Sequence, residues 1–188
     1  MTLDAKEQKQ MEQVLGKLDG IDKRVEADYR QLKIKTFKEK LQLFKERDAL
    51  LEKIPNFWLA CMLNSSIQVH CNDEDTNVLQ YLTKLSVEVT PQHEKVTLHF
   101  SANDFIENST LSKTLKYDDE KATFDKVKWK KSPKRSKTEA EGTFFKAYCG
   151  DETEMVQTLS DIYETPIEYY EADNETEDTK SNQTLSEE

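Results

Sequence analysis

The chain has 188 residues, enough for one modest core with extensions, and its 36% hydrophobic against 34% charged residues describe a small interior under a heavily charged surface. A formal net charge of −10 opposes nucleic-acid phosphate and anionic lipid and favours basic partners. Of the 37 acids, 13 follow Gly150 with a single base, Lys180, among them, which leaves 24 acids against 26 Lys and Arg in the remainder, so the body is nearly neutral and the C-terminal end holds the charge.

A helical register without proline runs from Thr2 to Glu52, weakened only at Gly16 and Gly20. Met11, Val14, Leu18, Ile21 and Val25 recur at 3,4 spacing on one face, and the stripe continues through Tyr29, Leu32, Phe37, Leu41, Phe44 and Leu51 with one slip of register. Such a helix is roughly 75 Å long, whereas a compact chain of this size has a radius of gyration of ~16 Å. The helix therefore projects beyond its own domain, and its apolar stripe needs a partner. Pro55 disfavours the α conformation at Ile54 and suits the first turn of a new helix, so a break precedes a short helix from Asn56 to Leu63. Asp73, Glu74 and Asp75 supply capping and dipole charge for another, whose Val78, Leu79 and Leu82 face inward.

The period then changes to two. Leu85, Val87 and Val89 alternate with polar residues, Pro91 and Gln92 mark a turn, and Val96, Leu98 and Phe100 alternate again, which predicts an antiparallel hairpin. Leu111 to Tyr117 and Thr123 to Trp129 form a second pair around Asp118, Asp119 and Glu120. Four strands make one antiparallel sheet that needs a cover on at least one face, and helices at Thr143 to Cys149 and Glu154 to Tyr163 are candidates. From Glu171 onward low hydrophobicity and high charge predict disorder. The fold class is α+β, divided as a dimerisation helix over residues 1–54, an α+β domain over 55–170 and an acidic tail over 171–188.

Cys61, Cys71 and Cys149 form no C-x-x-C and have no histidines at zinc-finger distance, so they read as free thiols, with neither a disulfide framework nor a metal site expected. The charged start, Met1 to Gln10, lacks the apolar core of a signal peptide, and no run is apolar enough to span a membrane; the expectation is an intracellular protein. The N-x-[ST] triplets at Asn64, Asn108, Asn174 and Asn182 are then chance matches. His70, His93 and His99 lie in no H-E-x-x-H, no serine sits in a G-x-S-x-G elbow, and four glycines cannot build a phosphate loop or dinucleotide fingerprint. No catalytic residue and no cofactor is expected, and His99 reads as an outward-facing strand position. Lys126, Lys128, Lys130, Lys131, Lys134, Arg135 and Lys137 crowd the loop after the last strand. Three readings stay open there: a nuclear import signal centred on Lys130, Lys131, Lys134 and Arg135, a weak DNA contact, or a solvated loop whose charge blunts an edge strand.

Several strings in order carry a resemblance. They are Ile54-Pro55-Asn56-Phe57-Trp58, Gln80 through Val89, Asn108 through Lys113, Val127-Lys128-Trp129-Lys130, Thr143-Phe144-Phe145-Lys146, and Asp161-Ile162-Tyr163-Glu164-Thr165-Pro166-Ile167-Glu168-Tyr169-Tyr170. With the long helix before them, they resemble the nucleosome assembly protein family, and within it the SET (template-activating factor I) branch, over Val14 to Asp173. The resemblance implies a homodimer joined through the long helices by Met11, Val14, Leu18, Ile21, Val25 and Leu32, with an α+β "earmuff" at each end, acting in the nucleus as a histone chaperone without ATP. Aligning the Asp161 to Tyr170 string without gaps brings Asp151 and Glu152 onto the family's acidic pair. Glu154, Asp161 and Glu164 join them as implied contacts for core histones. The alternative for the first three acids is that they complement the dipole of the following helix. The sequence departs from the pattern in its tail, where Glu171 to Glu188 mixes acids with Thr, Asn, Ser and Lys180, and at Ala147-Tyr148, where bulkier aromatics are usual. A second functional reading therefore stands beside the first: a coiled-coil scaffold or inhibitor of a non-histone partner such as a phosphatase or acetyltransferase.

Overall fold

The computed structural model describes residues 4–117, 121–131 and 143–172. It divides into two compact units between Gln42 and Leu43. The first unit consists of most of α1, which runs over Ala5–Leu51, 47 residues or about 70 Å. The helix starts later than the predicted Thr2 because Asp4 caps it. Its carboxylate accepts from the amides of Lys6 and Glu7 at 2.8 Å, and Glu7 returns the bond to the Asp4 amide at 2.9 Å, a reciprocal capping box. Met11, Val14, Leu18, Ile21, Val25 and Leu32 are between 46% and 60% exposed in the isolated chain.

In the second unit the chain turns at Pro55. Proline does not open the next helix, as the sequence reading had it. Instead Asn56 adopts the left-handed conformation (φ 56°, ψ 19°) and α2 spans Phe57–Leu63. A short amide side chain tolerates that region better than most. A 3₁₀ helix, Ser66–His70, leads to α3, Asp73–Leu79. The cap of α3 is Asn72 rather than the acids after it: Asn72 Oδ1 accepts from Asp75 N at 2.9 Å and Asp75 Oδ2 accepts from Asn72 N at 3.1 Å. The same Asp75 oxygen accepts from Phe144 N at 3.0 Å, tying α3 to the start of α4, Thr143–Tyr148.

The sheet is a meander in the order β1 (Leu82–Val89), β2 (His93–Phe100), β3 (Thr110–Lys116) and β4 (Ala122–Phe124), all neighbours antiparallel. Leu82 pairs with Phe100 but Lys84 pairs with His99, so Thr83 is an extra residue on β1. That bulge reverses the alternation and puts Leu82 on the same face as Leu85. The inner face stacks Leu85, Leu98 and Leu111, all fully buried, beneath α5, Glu154–Glu164, whose Val156, Leu159 and Ile162 are also fully buried. Val87, expected to point fully inward, is only half-buried. The outer face is polar: Thr97 and Ser112 hydroxyls lie 3.1 Å apart, Lys95 pairs with Glu88 at 3.0 Å, and Ser86 Oγ meets His99 Nε2 at 2.9 Å. Outward-facing His99 is half-buried, and that burial pushes its pKa below the ordinary histidine value.

The last predicted strand is shorter than its pattern. Asp125 N still donates to Ser112 O at 2.9 Å, but the chain then leaves the sheet to pair with the loop before β3. Glu107 N donates to Lys128 O and Lys130 N to Phe105 O, both at 2.8 Å, while Asn108 Oδ1 accepts from Lys128 N at 2.7 Å. The residues after Thr165, for which the sequence reading named no element, form α6, Pro166–Glu171, with Pro166 in its first turn. Phe57 stacks on Tyr170 at 4.8 Å, and Asn64 Nδ2 donates to Tyr169 O at 2.9 Å. Glu171 is therefore helical, against the expected disorder; the predicted tail beyond Ala172 lies outside the described residues.

Two charged side chains, Glu94 and Lys113, sit on the inner face. Lys113, between Leu111 and Leu115, is fully buried, and its Nζ donates to the carbonyls of Tyr148 at 2.9 Å and Gly150 at 2.8 Å, with Ala147 at 3.4 Å. These carbonyls lie at and just past the end of α4, where helical partners run out; Ala147 O also accepts from Gly150 N at 3.0 Å, and the ammonium meets the helix dipole there. The turn is tight: a Cβ at Gly150 would lie 3.1 Å from Ala147 O. Burial pushes the Lys113 pKa down, offset in part by nearby Cys149, Glu152 and Asp151. Lys113→Met keeps the volume but strips those carbonyls of their donor, and we expect a loss of about 2–3 kcal/mol in stability, read from urea denaturation. A loss under about 0.5 kcal/mol would show that water serves those carbonyls equally well.

Candidate functional site

The acids after Gly150 are presented by α5, whose two faces divide by composition. Met155, Val156, Leu159, Ser160, Ile162 and Tyr163 are buried, which leaves Glu154 and Asp161 exposed and Glu164 at the edge of the outer face. From Glu154 to Glu164 this stripe is about 15 Å long. Asp151 and Glu152, also exposed, extend it at the helix N-terminus. The sequence-predicted acids are thus brought onto one continuous surface.

The five are not equivalent. Ala122 N donates to Asp151 O at 2.9 Å, which fixes the segment to the end of the sheet, and Lys121 Nζ reaches the Asp151 carboxylate at 2.5 Å. That ammonium holds the Asp151 carboxyl below its ordinary range. Asp151 thus serves Lys121 first, while Glu154, in the first turn of α5, is the acid placed to complement the helix dipole.

The opposite end of α5 is closed by a second internal cation. Arg47 Nη1 donates to Tyr163 O at 2.6 Å, Arg47 Nη2 pairs with Asp48 Oδ1 at 2.8 Å, and Tyr163 Oη donates to Asp48 Oδ2 at 3.1 Å. The guanidinium lies 4.6 Å from the ring centres of both Phe44 and Tyr163. Burial, then the Asp48 charge, pushes the Tyr163 pKa up to about 12. Arg47 and Lys113 were missed in sequence. The available signal for Lys113 was its parity with Leu111 and Leu115; for Arg47 the local neighbours Phe44 and Asp48 gave no sign of the Tyr163 carbonyl and ring, which lie 116 residues on.

Of the basic cluster, Lys130 Nζ donates to Asn103 O at 2.7 Å and Lys131 is exposed. Lys134 and Arg135 lie outside the described residues. Between the segment that carries Lys126, past the end of β4, and helix α4, a groove of about 520 Å³ is lined by Trp129 and Phe145, whose rings meet edge to face at 5.1 Å. All three cysteines are free thiols; Cys61 is buried, and burial pushes its pKa up to about 12. Among the described residues no group of His, Cys, Asp or Glu could hold a metal ion, and no helix is long and apolar enough to cross a membrane.

A long N-terminal helix leading into a four-stranded antiparallel meander with short helices is the α+β earmuff fold. It is similar to nucleosome assembly protein S from Plasmodium falciparum (TM-score 0.60, 21% identity, 87% of this chain and 99% of that one). It is likewise similar to Ccp1 (TM-score 0.63, 22% identity, 88% and 97%) and to the Vps75 histone chaperone (TM-score 0.61, 16% identity, 87% and 98%). The nucleosome assembly protein (NAP) family model matches residues 3–186, and the chain belongs to that family. Similar sequences include NAP1-related protein 1 of Arabidopsis thaliana, 26% identical over 72% of this chain and 65% of that protein. Protein SETSIP of Homo sapiens is 26% identical over 85% and 64%, and protein SET of Drosophila melanogaster 22% identical over 86% and 71%. The chain thus spans about two thirds of the length of these relatives.

The Lys121 pair sets a test in acid. Because the folded-state pKa of Asp151 lies below its ordinary 3.8, the pair stabilises the fold above that value and the contribution is lost as pH falls through the depressed pKa. In Lys121→Ala the Asp151 carboxyl, followed by NMR titration, is expected to rise toward 3.8, and the stability of the variant to lose that part of its acid dependence. An unchanged titration would mean that the backbone of the Asp151 segment, not Lys121, sets the shift.

Proposed function

We propose that this chain is a histone chaperone that binds core histones through the outer face of α5 and the Asp151-Glu152 segment, acting in nucleosome assembly and chromatin regulation without ATP. The observation that carries the reading is the acid stripe of Asp151, Glu152, Glu154, Asp161 and Glu164 on a helix whose other face is core. Family membership supports it, as does the fold shared with a protein described as a histone chaperone. Core histones are strongly basic and need a partner that competes with DNA phosphate yet releases its cargo. Dispersed exposed carboxylates do this because each contributes only about 0.2–1 kcal/mol. ATP is unnecessary, since capture and release follow the balance of charges. The protein works as a homodimer joined along α1, which holds two acid faces at a fixed separation and raises the effective concentration of the second contact. Residues Lys130, Lys131, Lys134 and Arg135 direct it to the nucleus and offer a weak DNA contact at most.

Affinity for each of the two core-histone pairs across a salt series tests the reading. The double change Asp151→Ala, Glu152→Ala is expected to weaken binding several-fold. The triple change Glu154→Gln, Asp161→Asn, Glu164→Gln weakens it roughly tenfold, and both flatten the salt dependence. Absence of histone binding by the intact chain at physiological salt would overturn the chaperone reading in favour of a scaffold for a non-histone partner.

Dimerisation is tested apart. Replacing Leu18, Ile21 and Val25 by glutamate is expected to give monomers in analytical ultracentrifugation with the helical circular dichroism of the second unit retained. A stable monomer of the unaltered chain at micromolar concentration would defeat the pairing.

A further inference from the structure

Beside the acid stripe, a cleft of about 120 Å³ opens between the 3₁₀ helix and the start of α5. Ile67, Val69, Ala147 and Met155 line it with apolar surface, and Glu152 and Glu154 stand in the same wall. Val69 is the anomaly. It is 80% exposed, more than any other exposed large hydrophobic residue among those described, although Ile67 two positions earlier is buried. Among the described residues of the second unit nothing covers it, and a solvent-facing position gives no reason for a β-branched apolar residue. Ser66, His70 and Thr158 complete the lining; the exposed Val69 beside two carboxylates matches an amphipathic cation, with a methylene stem to lie on the valine and a charged head to reach the acids.

We infer that this cleft takes a lysine side chain of the basic partner, the stem lying along Val69, Ile67 and Met155 and the ammonium between Glu152 and Glu154. The inference rests on the acid face being the binding surface. Space and charge geometry favour lysine over arginine. The cleft's volume of about 120 Å³ admits several water-sized groups in a row, room for the five non-hydrogen atoms of a lysine side chain. A compact ammonium accepts carboxylates from two separate residues, whereas the planar guanidinium fork is matched to a single bidentate carboxylate. The role of Val69 also separates this cleft from the rest of the stripe. The stripe attracts any cation at a distance, while the cleft selects by stem length.

The test uses the intact protein and three synthetic peptides that share one neutral sequence and carry four lysines, four ornithines or four arginines. A diffuse acidic surface binds lysine and ornithine peptides alike. The cleft distinguishes them, because ornithine lacks one methylene, worth roughly threefold to fourfold in affinity when buried. The expected result is tighter binding of the lysine peptide by about that factor over ornithine and by a similar margin over arginine. Val69→Ser, a change at an exposed position that leaves the core alone, should abolish the preference with the salt dependence kept. Glu152→Gln with Glu154→Gln should weaken all three peptides and flatten the salt dependence. Equal binding of the three peptides, or a preference unchanged in Val69→Ser, overturns the inference. Core histones titrated in parallel separate the two readings. Histone binding without lysine selectivity leaves the chaperone reading standing and removes the cleft. Lysine selectivity that depends on Val69, without histone binding, keeps the cleft as a site for another lysine-bearing partner and removes the chaperone reading.

Discussion

The arrangement of this domain depends on one buried cation. Lys113 lies on the inner face of the sheet, where every neighbour in its row is apolar, and it stays charged there because the end of α4 offers it carbonyl oxygens at 2.8 and 2.9 Å. An ammonium without such partners would neutralise or leave the interior. The bonds also act in the other direction: they fix where α4 stops, and the Asp151-Glu152 segment follows from that point. The position of the acid stripe is in this sense set from inside the core.

Arg47 repeats the device at the far end of α5. Both cations donate to main-chain carbonyls, Arg47 to the buried Asp48 carboxylate as well, and neither makes a hydrogen bond to an exposed carboxylate of α5, although the Lys113 charge is felt at Asp151 and Glu152. This accounts for how a body of nearly balanced composition still presents an acidic face. Lys121 differs, since it pairs directly with the exposed Asp151 carboxylate. Glu152 and Glu154 are the exposed acids that follow Asp151.

The parts of the fold legible in sequence were those carried by a local period. Val96, Leu98 and Phe100 alternate without interruption and lie inward in β2, and the dense apolar positions of α5 mark its buried side. Legibility failed where one residue changes the phase. Thr83 reverses the parity of β1, and Leu82, rightly expected to face inward but assigned to the preceding helix, is in fact the first residue of the strand. It failed again where a segment owes its form to distant partners: α6 exists because Tyr169 and Tyr170 dock on Asn64 and Phe57, and residues 126–130 leave the sheet because Asn108 and Phe105 bind their backbone. The family was readable because its strings recur in order. The acid stripe was readable in composition, but the occupation of Asp151 by Lys121 and the exposure of Val69 required the fold.

The order of the sheet carries a consequence for how the chain is made. Its four strands are neighbours in sequence as well as in space, so hairpin pairing needs only local loop closure. The helices that roof the inner face come later, α4 from Thr143 and α5 from Glu154, and the ribosome adds only about 5–20 residues per second. For seconds, then, the nascent sheet has an uncovered face bearing Leu85, Leu98 and Leu111, the kind of surface on which chains associate wrongly. Glu94 and Lys113 both belong to that face. Costly once enclosed, they interrupt the apolar surface while it waits, as gatekeepers against aggregation.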